Sequence, residues 1–417
     1  MKVFIETYGC TLNQSDSEVM KGVLAEKGVE LCSTPDEADV IILNTCFVKT
    51  PTHQKIVERL KKLSNRKVVV AGCMPSANRE VVERAIPHAS LLSPFSLSHV
   101  YEAVMAAYRN EKAVFLSKKP EEKYSLPKIR EGVIARIPVS EGCASSCSFC
   151  VTKLARPVLF SYDEEKIVEE IRRCVKNGFR EIQLTSMDVG AYGVDKNTNL
   201  VSLLGKIDEI EGRFLVRVGM MNPQHALRIL PQLIGAFQSK KLYKFLHLPL
   251  QSGDDGVLKD MNRMYSVDNF LEVVSEFRKH IPELTLATDV IVGFPTETED
   301  AFERTLEVVK KIQPDVVNNS KFFPRPGTRA AKMKQLPGEV VAGRSRRMSQ
   351  LCRELALERN RKLIGKTFEV LITEKREEGV AGRNPSYKQV LLNHGKLGEF
   401  VNATICDATS CYLRGIF

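Results

Sequence analysis

The sequence predicts an α/β protein in three parts: an N-terminal domain on a parallel sheet, a central partial (β/α)6 barrel of TIM-like form, and a small C-terminal β-barrel. Three observations predict it. Short β-branched runs alternate with helical patterns over the first two parts, the signature of parallel sheets. The last part switches to short strands separated by glycine and asparagine. With 43% hydrophobic residues, a chain of 417 has enough apolar side chains for two or three cores.

In the first part, "KVFIETYGC", "ADVIILNTC" and "RKVVVAGC" each run into a cysteine: Cys10, Cys46 and Cys73. Helical patterns over residues 15–27 and 52–64 separate them. The carboxyl ends of parallel strands form the binding crevice of such a sheet, so three thiols are expected to converge there. The alternative is three buried thiols serving as small core hydrophobes. This domain is expected over 1–116. The charged, proline-containing "SKKPEEKYSLPKIRE" (117–131) has no periodicity and is read as a linker.

The central part, 132–355, offers six strand candidates with helical patterns between them: "GVIARIPV", "EIQLTS", "FLVRVGM", "KFLHLPL", "LTLATDVIVGF" and "PDVVNNSKF". Six βα-type units place function on the loops after the strands. Next comes an arginine-rich helix over about 340–365, including "GRSRRMSQLCRELALERNRKLIG". "KTFEVLITE", "KQVLLN" and "FVNATICDAT" then supply the strands of the small barrel, 356–417.

A formal net charge of +10 favours a polyanionic partner, nucleic acid first, with phosphate contacts that weaken in salt. Tryptophan is absent, so recognition by backbone and shape is expected, with a pocket for one base. No apolar run reaches the ~20 residues of a membrane span. The start "MKVFIETYGC" lacks the profile of a signal peptide, and a cytoplasmic protein without membrane contact is expected. Eleven cysteines, an odd number, then point to metal ligation rather than a disulfide framework.

The sharpest signal is "EGCASSCSFC" (141–150), directly after the first barrel strand. Cys143, Cys147 and Cys150 have C-x₃-C-x₂-C spacing, which suits three irons of a cubane cluster with the fourth iron open to a small molecule. A zinc site completed by a distant fourth ligand has the same local appearance.

The loop, with Phe149 before its last cysteine, resembles the hallmark of the radical S-adenosylmethionine (SAM) superfamily. The resemblance implies a 4Fe–4S cluster on Cys143, Cys147 and Cys150 that chelates SAM and cleaves it to a 5′-deoxyadenosyl radical. Along the whole chain, "ETYGCTLNQSDSE", "LNTC", "VAGC", "EIQLTSMDVGAYG", "RVGMMNP", "HLPLQSGDDGVLKDMNRMY", "TDVIVGFPTET" and "FFPRPGT" resemble, in order, the methylthiotransferase family, whose last domain is the TRAM domain. "CVTKLAR", "LTSMDVGAYG" and "RVGMMNP" are most similar to its archaeal and eukaryotic branch, which acts on N6-threonylcarbamoyladenosine (t6A) at tRNA position 37.

That resemblance implies a second 4Fe–4S cluster on Cys10, Cys46 and Cys73, a methylthio group added at adenine C2, a tRNA anticodon loop as partner, a low-potential electron donor and a sulfur donor. Because a glycine lets the backbone approach a cofactor and a carboxylate can hold ribose hydroxyls, Asp289, Gly293 and Pro295 are candidates for the SAM pocket, with Ser186 and Asp188 facing the same volume; each could equally be a turn or capping residue. His247, Gln251, Met221 and Asn222 are expected to line the pocket, and Arg217 and Arg325 to contact the SAM carboxylate or tRNA. No acid–base residue is assigned. Arg156 is a candidate contact to substrate carboxylate or phosphate, but Pro157 and Val158 depart from the family's arginine–glycine–arginine-like pattern. Cys32, Cys174, Cys352, Cys406 and Cys411 fall outside the family pattern. Rival expectations are the branches acting on isopentenyladenosine in tRNA or on a ribosomal-protein aspartate, and a non-catalytic RNA-binding protein with structural metal.

Overall fold

The structure is a computed structural model that describes residues 1–47 and 50–417. The chain forms two compact units, and they do not follow chain order. The first comprises residues 1–130, 138–167 and 325–331; the second comprises 131–137, 168–324 and 332–417. The stretch 117–131 thus falls almost entirely in the first unit, where Lys123 is 1% exposed.

The first unit holds a six-stranded sheet: β1 (Lys2–Thr7), β2 (Glu30–Leu31), β3 (Val40–Thr45), β4 (Val68–Gly72), β5 (Ser90–Leu92) and β6 (Val114–Phe115), in the order β2-β1-β3-β4-β5-β6 and parallel throughout. The three strands legible in the sequence are its centre. Every residue of β3 and β4 is buried, as a parallel strand covered on both faces requires. The helices Thr11–Glu26 and Thr50–Lys62 follow β1 and β3. The remaining strands are two or three residues long, too short to show any period.

The barrel strands of the second unit begin at β7 (Ile134–Pro138), whose last residue passes into the first unit. There a hairpin of β8 (Ser140–Glu141) and β9 (Phe160–Ser161) brackets the cysteine loop. The barrel continues with β10 (Glu181–Thr185), β11 (Leu215–Val218), β12 (Phe245–His247), β13 (Thr285–Val292) and β14 (Val316–Lys321). β7, β10 and β11 form one run and β12, β13 and β14 another, joined by a parallel bridge from Val216 to Leu242. The result is the expected open six-stranded barrel. The helix Gly338–Arg361 leads to a closed barrel of β15 (Thr367–Lys375), β16 (Val380–Arg383), β17 (Gln389–Leu392), β18 (Phe400–Ala408) and β19 (Leu413–Ile416). Its centre is packed with Val370, Ile372, Val390, Ile405 and Leu413.

Candidate functional site

Cys10, Cys46 and Cys73 follow β1, β3 and β4, three neighbouring parallel strands, at their carboxyl ends. Cys10 is the N-cap of the helix Thr11–Glu26, Cys46 lies just past β3, and Cys73 opens a short helix after β4. Gly9 has φ +109°, and a Cβ there would sit 2.6 Å from Cys46 Cβ, so only glycine lets the two thiol-bearing segments approach. Asn13, 1% exposed, ties all three together. Its Nδ2 donates to the Tyr8 carbonyl at 3.0 Å and the Thr45 carbonyl at 2.9 Å, while its Oδ1 lies 3.8 Å from Cys73 Sγ. Burial pushes the Cys73 thiol up to about 12, Arg156 opposes this, and Cys46 and Cys10 add to it. A thiol so placed carries charge only when a cation compensates it.

Beneath the trio lies a buried quartet that the sequence did not reveal. Lys123 Nζ donates to Asp16 Oδ1 at 2.6 Å and to Glu141 Oε1 at 2.5 Å. The Arg156 guanidinium closes the ring by pairing with both carboxylates and reaches Asn13 Oδ1 at 3.5 Å. None of the four exceeds 1% exposure. Two cations and two anions cancel, and burial is offset because each charge meets two opposite ones. Arg156, expected at the substrate, is therefore placed elsewhere: its two arms are occupied inside the first unit. Asp16 stands in the quoted "NQSDSE", one helical turn from Asn13, but Lys123 and Glu141 carry no periodic or spacing signal.

In the loop trio, Cys143, Cys147 and Cys150 are each half-buried. Gly142 has φ +64°, and a Cβ there would overlap the Val158 carbonyl across the hairpin. The Ser145 amide donates to Cys143 Sγ at 3.3 Å, the Cys150 amide to the Cys147 carbonyl at 3.2 Å, and Lys153 Nζ to the Cys143 carbonyl at 2.5 Å. Residues 325–331 brace the loop through the Ala330 amide on the Ser148 carbonyl, 2.9 Å. Arg325 lies 5.3 Å over the Phe47 ring; burial lowers its pKa and Cys46 works against this, so it sits with the N-terminal trio. Among the described residues, no three His, Cys, Asp or Glu side chains close around a single-ion site.

The other candidates lie in the second unit, in three groups. Asp188, fully buried, accepts from the Asn222 amide at 3.1 Å and Nδ2 at 2.5 Å and pairs with His225 Nδ1 at 2.8 Å, while Ser186 Oγ accepts from the Asp188 amide. Met221 is fully buried beside them in sequence. His225 and Arg263, which also reaches Asn222, were not foreseen. In the second group, His247 Nε2 lies 2.9 Å from Asp289 Oδ2, and Asn318 Nδ2 donates to Asp289 Oδ1 at 2.7 Å. Gln251, at φ +64°, donates its amide to the Asp289 carbonyl, and its Oε1 is buried without a partner. The third group is separate. The Gly293 amide donates to Glu297 Oε2, which also accepts from Arg344; burial raises the Glu297 carboxyl despite both. Pro295 lies in that turn, and Arg217, on β11, lines one cavity with His247 and Asn318 of the second group.

An open barrel whose first strand feeds a three-cysteine loop, with a small closed barrel behind it, defines a radical SAM enzyme carrying a TRAM domain. Sequence comparison agrees. The profile of the uncharacterized protein family UPF0004 matches residues 2–93, that of the radical SAM superfamily 137–309, and that of the TRAM domain 361–417. The fold is similar to that of the radical S-adenosylmethionine methyltransferase TsrM from Kitasatospora setae, with TM-score 0.58 and 12% identity over 79% of this chain and 77% of that one. A protein of Pyrococcus horikoshii, "Probable threonylcarbamoyladenosine tRNA methylthiotransferase", is 44% identical over 422 residues, 100% of this chain and 99% of its own. Its counterpart in Archaeoglobus fulgidus is 46% identical over 100% and 98%. The "Threonylcarbamoyladenosine tRNA methylthiotransferase" of Drosophila melanogaster is 37% identical over 99% of this chain and 77% of its own. The chain belongs to the threonylcarbamoyladenosine tRNA methylthiotransferase family. It is a radical SAM methylthiotransferase whose cofactors are SAM and two 4Fe–4S clusters.

Proposed function

We propose that this enzyme converts t6A at position 37 of tRNA to its 2-methylthio derivative, as the names of its full-length relatives indicate. The observation that carries the reading is the pair of thiol trios in one compact unit, one on three strand ends and one on the loop after the first barrel strand. Cys143, Cys147 and Cys150 hold the cluster that serves SAM, and Cys10, Cys46 and Cys73 hold the other. Thiol donors suit iron–sulfur clusters. When bound, these groups supply the one-electron and sulfur chemistry that an unreactive C2–H demands.

The chain itself supplies placement and protection. Asn13 fixes the spacing of the first trio, and the buried quartet keeps Asn13 in place. The Ser145 amide turned to Cys143 offers a hydrogen bond to a thiolate. Asp289, held by His247 and Asn318, presents a carboxylate suited to ribose hydroxyls, so it and Gln251 are the first choices for SAM contact. Asp188 and Glu297, engaged by neighbours, position the loops that carry Asn222 and Gly293. The net charge of +10 serves the tRNA phosphates. A low-potential electron donor and a sulfur donor complete the partners. The cytoplasm is the compartment we propose for the reaction; the cysteines form no disulfide among the described residues.

Mass spectrometry of tRNA nucleosides from cells with and without the gene tests the reading. Loss of 2-methylthio-t6A, with t6A accumulating, is the expected result. An unchanged level overturns the substrate, and loss of a 2-methylthio-isopentenyladenosine instead names the rival branch.

A further inference from the structure

The second unit encloses a cavity of about 580 Å³ between the barrel strands, the helix Gly338–Arg361 and the small barrel, and its charges do not balance. Arg217, Arg353, Arg383 and Lys388 line it against a single acid, Asp315. That acid is already taken: Lys388 Nζ and Arg359 Nε both reach Asp315 Oδ1 at 2.7 Å. Arg383 leans on Glu374 at 4.0 Å, and Arg353 is exposed at the rim.

Arg217 is different. Its guanidinium lies 5.4 Å from the Phe245 ring and 5.6 Å from the Tyr387 ring. Its Nε is buried and donates to nothing, and it makes no ion pair among the described residues. Nearby Glu181 is engaged by the Tyr243 and Tyr387 hydroxyls and by Gln183. The Thr285 hydroxyl, also on the cavity wall, is buried without a partner. A guanidinium stacked on aromatic rings keeps its planar fork oriented at little entropic cost, and an uncompensated one facing a cavity calls for an anion, with a carboxylate matching the fork. The Thr285 hydroxyl on the same cavity lining offers a further donor.

We propose that Arg217, aided by Thr285, is the receptor for an α-carboxylate in this cavity, namely the threonine carboxylate of the substrate nucleoside. The proposal rests on the t6A reading above and makes Arg217 a specificity-determining residue. A substituent ending in a carboxylate fits such a receptor and an isopentenyl group does not, because burying an arginine against hydrocarbon leaves its charge unpaired. SAM also ends in an α-carboxylate, so the test separates the two sources.

The test uses anaerobically reconstituted full-length enzyme and two anticodon stem-loop RNAs, identical except for t6A or adenosine at position 37. Wild type should bind the t6A37 RNA about tenfold or more tighter than the A37 RNA, the range of a charge-assisted hydrogen bond. Arg217→Met should bring that ratio to about one while leaving affinities for the A37 RNA and for SAM unchanged; Arg217→Lys, which keeps charge but not the fork, should fall between. Unaltered discrimination in Arg217→Met overturns the proposal, as does a loss of SAM affinity with discrimination intact, which would assign the site to SAM. Thermal unfolding of both variants guards against a folding defect, and Arg217→Lys carries the test if Arg217→Met fails to fold. Turnover of the t6A37 RNA by wild type tests the underlying reading separately. Turnover with discrimination retained in the variants defeats this proposal alone, and no turnover defeats both.

Discussion

The two thiol trios of the first unit are built by opposite means. Cys143, Cys147 and Cys150 sit within eight residues of one half-buried loop, shaped by a glycine, a short hairpin and local amide contacts. Cys10, Cys46 and Cys73 are separated by dozens of residues and are brought together by strand order, a single asparagine and a buried ring of charges. Local spacing makes the first trio tolerant of events elsewhere in the chain. Tertiary assembly makes the second depend on residues that touch no metal.

That contrast can be broken most forcefully at Arg156. Arg156→Met leaves Asp16 and Glu141 sharing only Lys123, and breaking a buried pair costs about 3–5 kcal/mol. Denaturant unfolding should show that loss. Iron retention should drop most at the N-terminal trio, whose Asn13 loses Arg156, and less at the loop trio, whose hairpin carries Glu141, read by iron content and electron paramagnetic resonance. Loss at both trios alike would erase the contrast.

Asn13→Ala comes next. It leaves the part-buried Tyr8 carbonyl and the buried Thr45 carbonyl short of a donor, a cost of about 1–3 kcal/mol. The resonance signature of the N-terminal cluster should shift, with that of the loop cluster unchanged.

The charge ring also gives a pH dependence. Burial alone would raise Asp16, but Lys123 and Arg156 hold it below its ordinary 3.8, so its stabilisation is present above that value and is lost as pH falls through the lower folded one. Burial alone would lower Lys123, but Asp16 and Glu141 hold it above 10.5; its stabilisation is present below that value and lost as pH rises through the higher folded one. Unfolding free energy measured against pH should therefore carry no slope from Asp16 or Lys123 between these limits, and Asp16→Asn should flatten the acid limb. The smallest effect belongs to the exposed Arg84–Glu80 pair, 79% and 82% exposed, where Arg84→Ala should leave the unfolding midpoint unmoved.

Legibility in the sequence followed the same divide. C-x₃-C-x₂-C is local and can be read directly, and three β-branched runs ending in cysteine announced the other trio because parallel strands place their ends together. The six barrel strands were legible from length and β-branched content, whereas β2, β5 and β6 were too short to register. Asn13 was visible only as a letter in a quoted motif. Lys123 lay in a stretch that looks like a solvated linker, since a buried lysine is written no differently from an exposed one. Arg156 was read as facing substrate because the sequence cannot show that Asp16 and Glu141, 140 and 15 residues away, claim both its arms. His225 and Arg263 were missed for the same reason, as partners defined by tertiary contact.

The central claim is that each trio holds its own cluster and that the two do different work. Iron and sulfide analysis of a Cys10→Ala/Cys46→Ala/Cys73→Ala variant beside wild type, purified anaerobically, tests it most directly. The account predicts about eight irons in wild type and about four in the variant, which still forms 5′-deoxyadenosine from SAM but no longer methylthiolates t6A37 RNA. A variant that keeps all its iron, or a wild type carrying stoichiometric zinc, would contradict it.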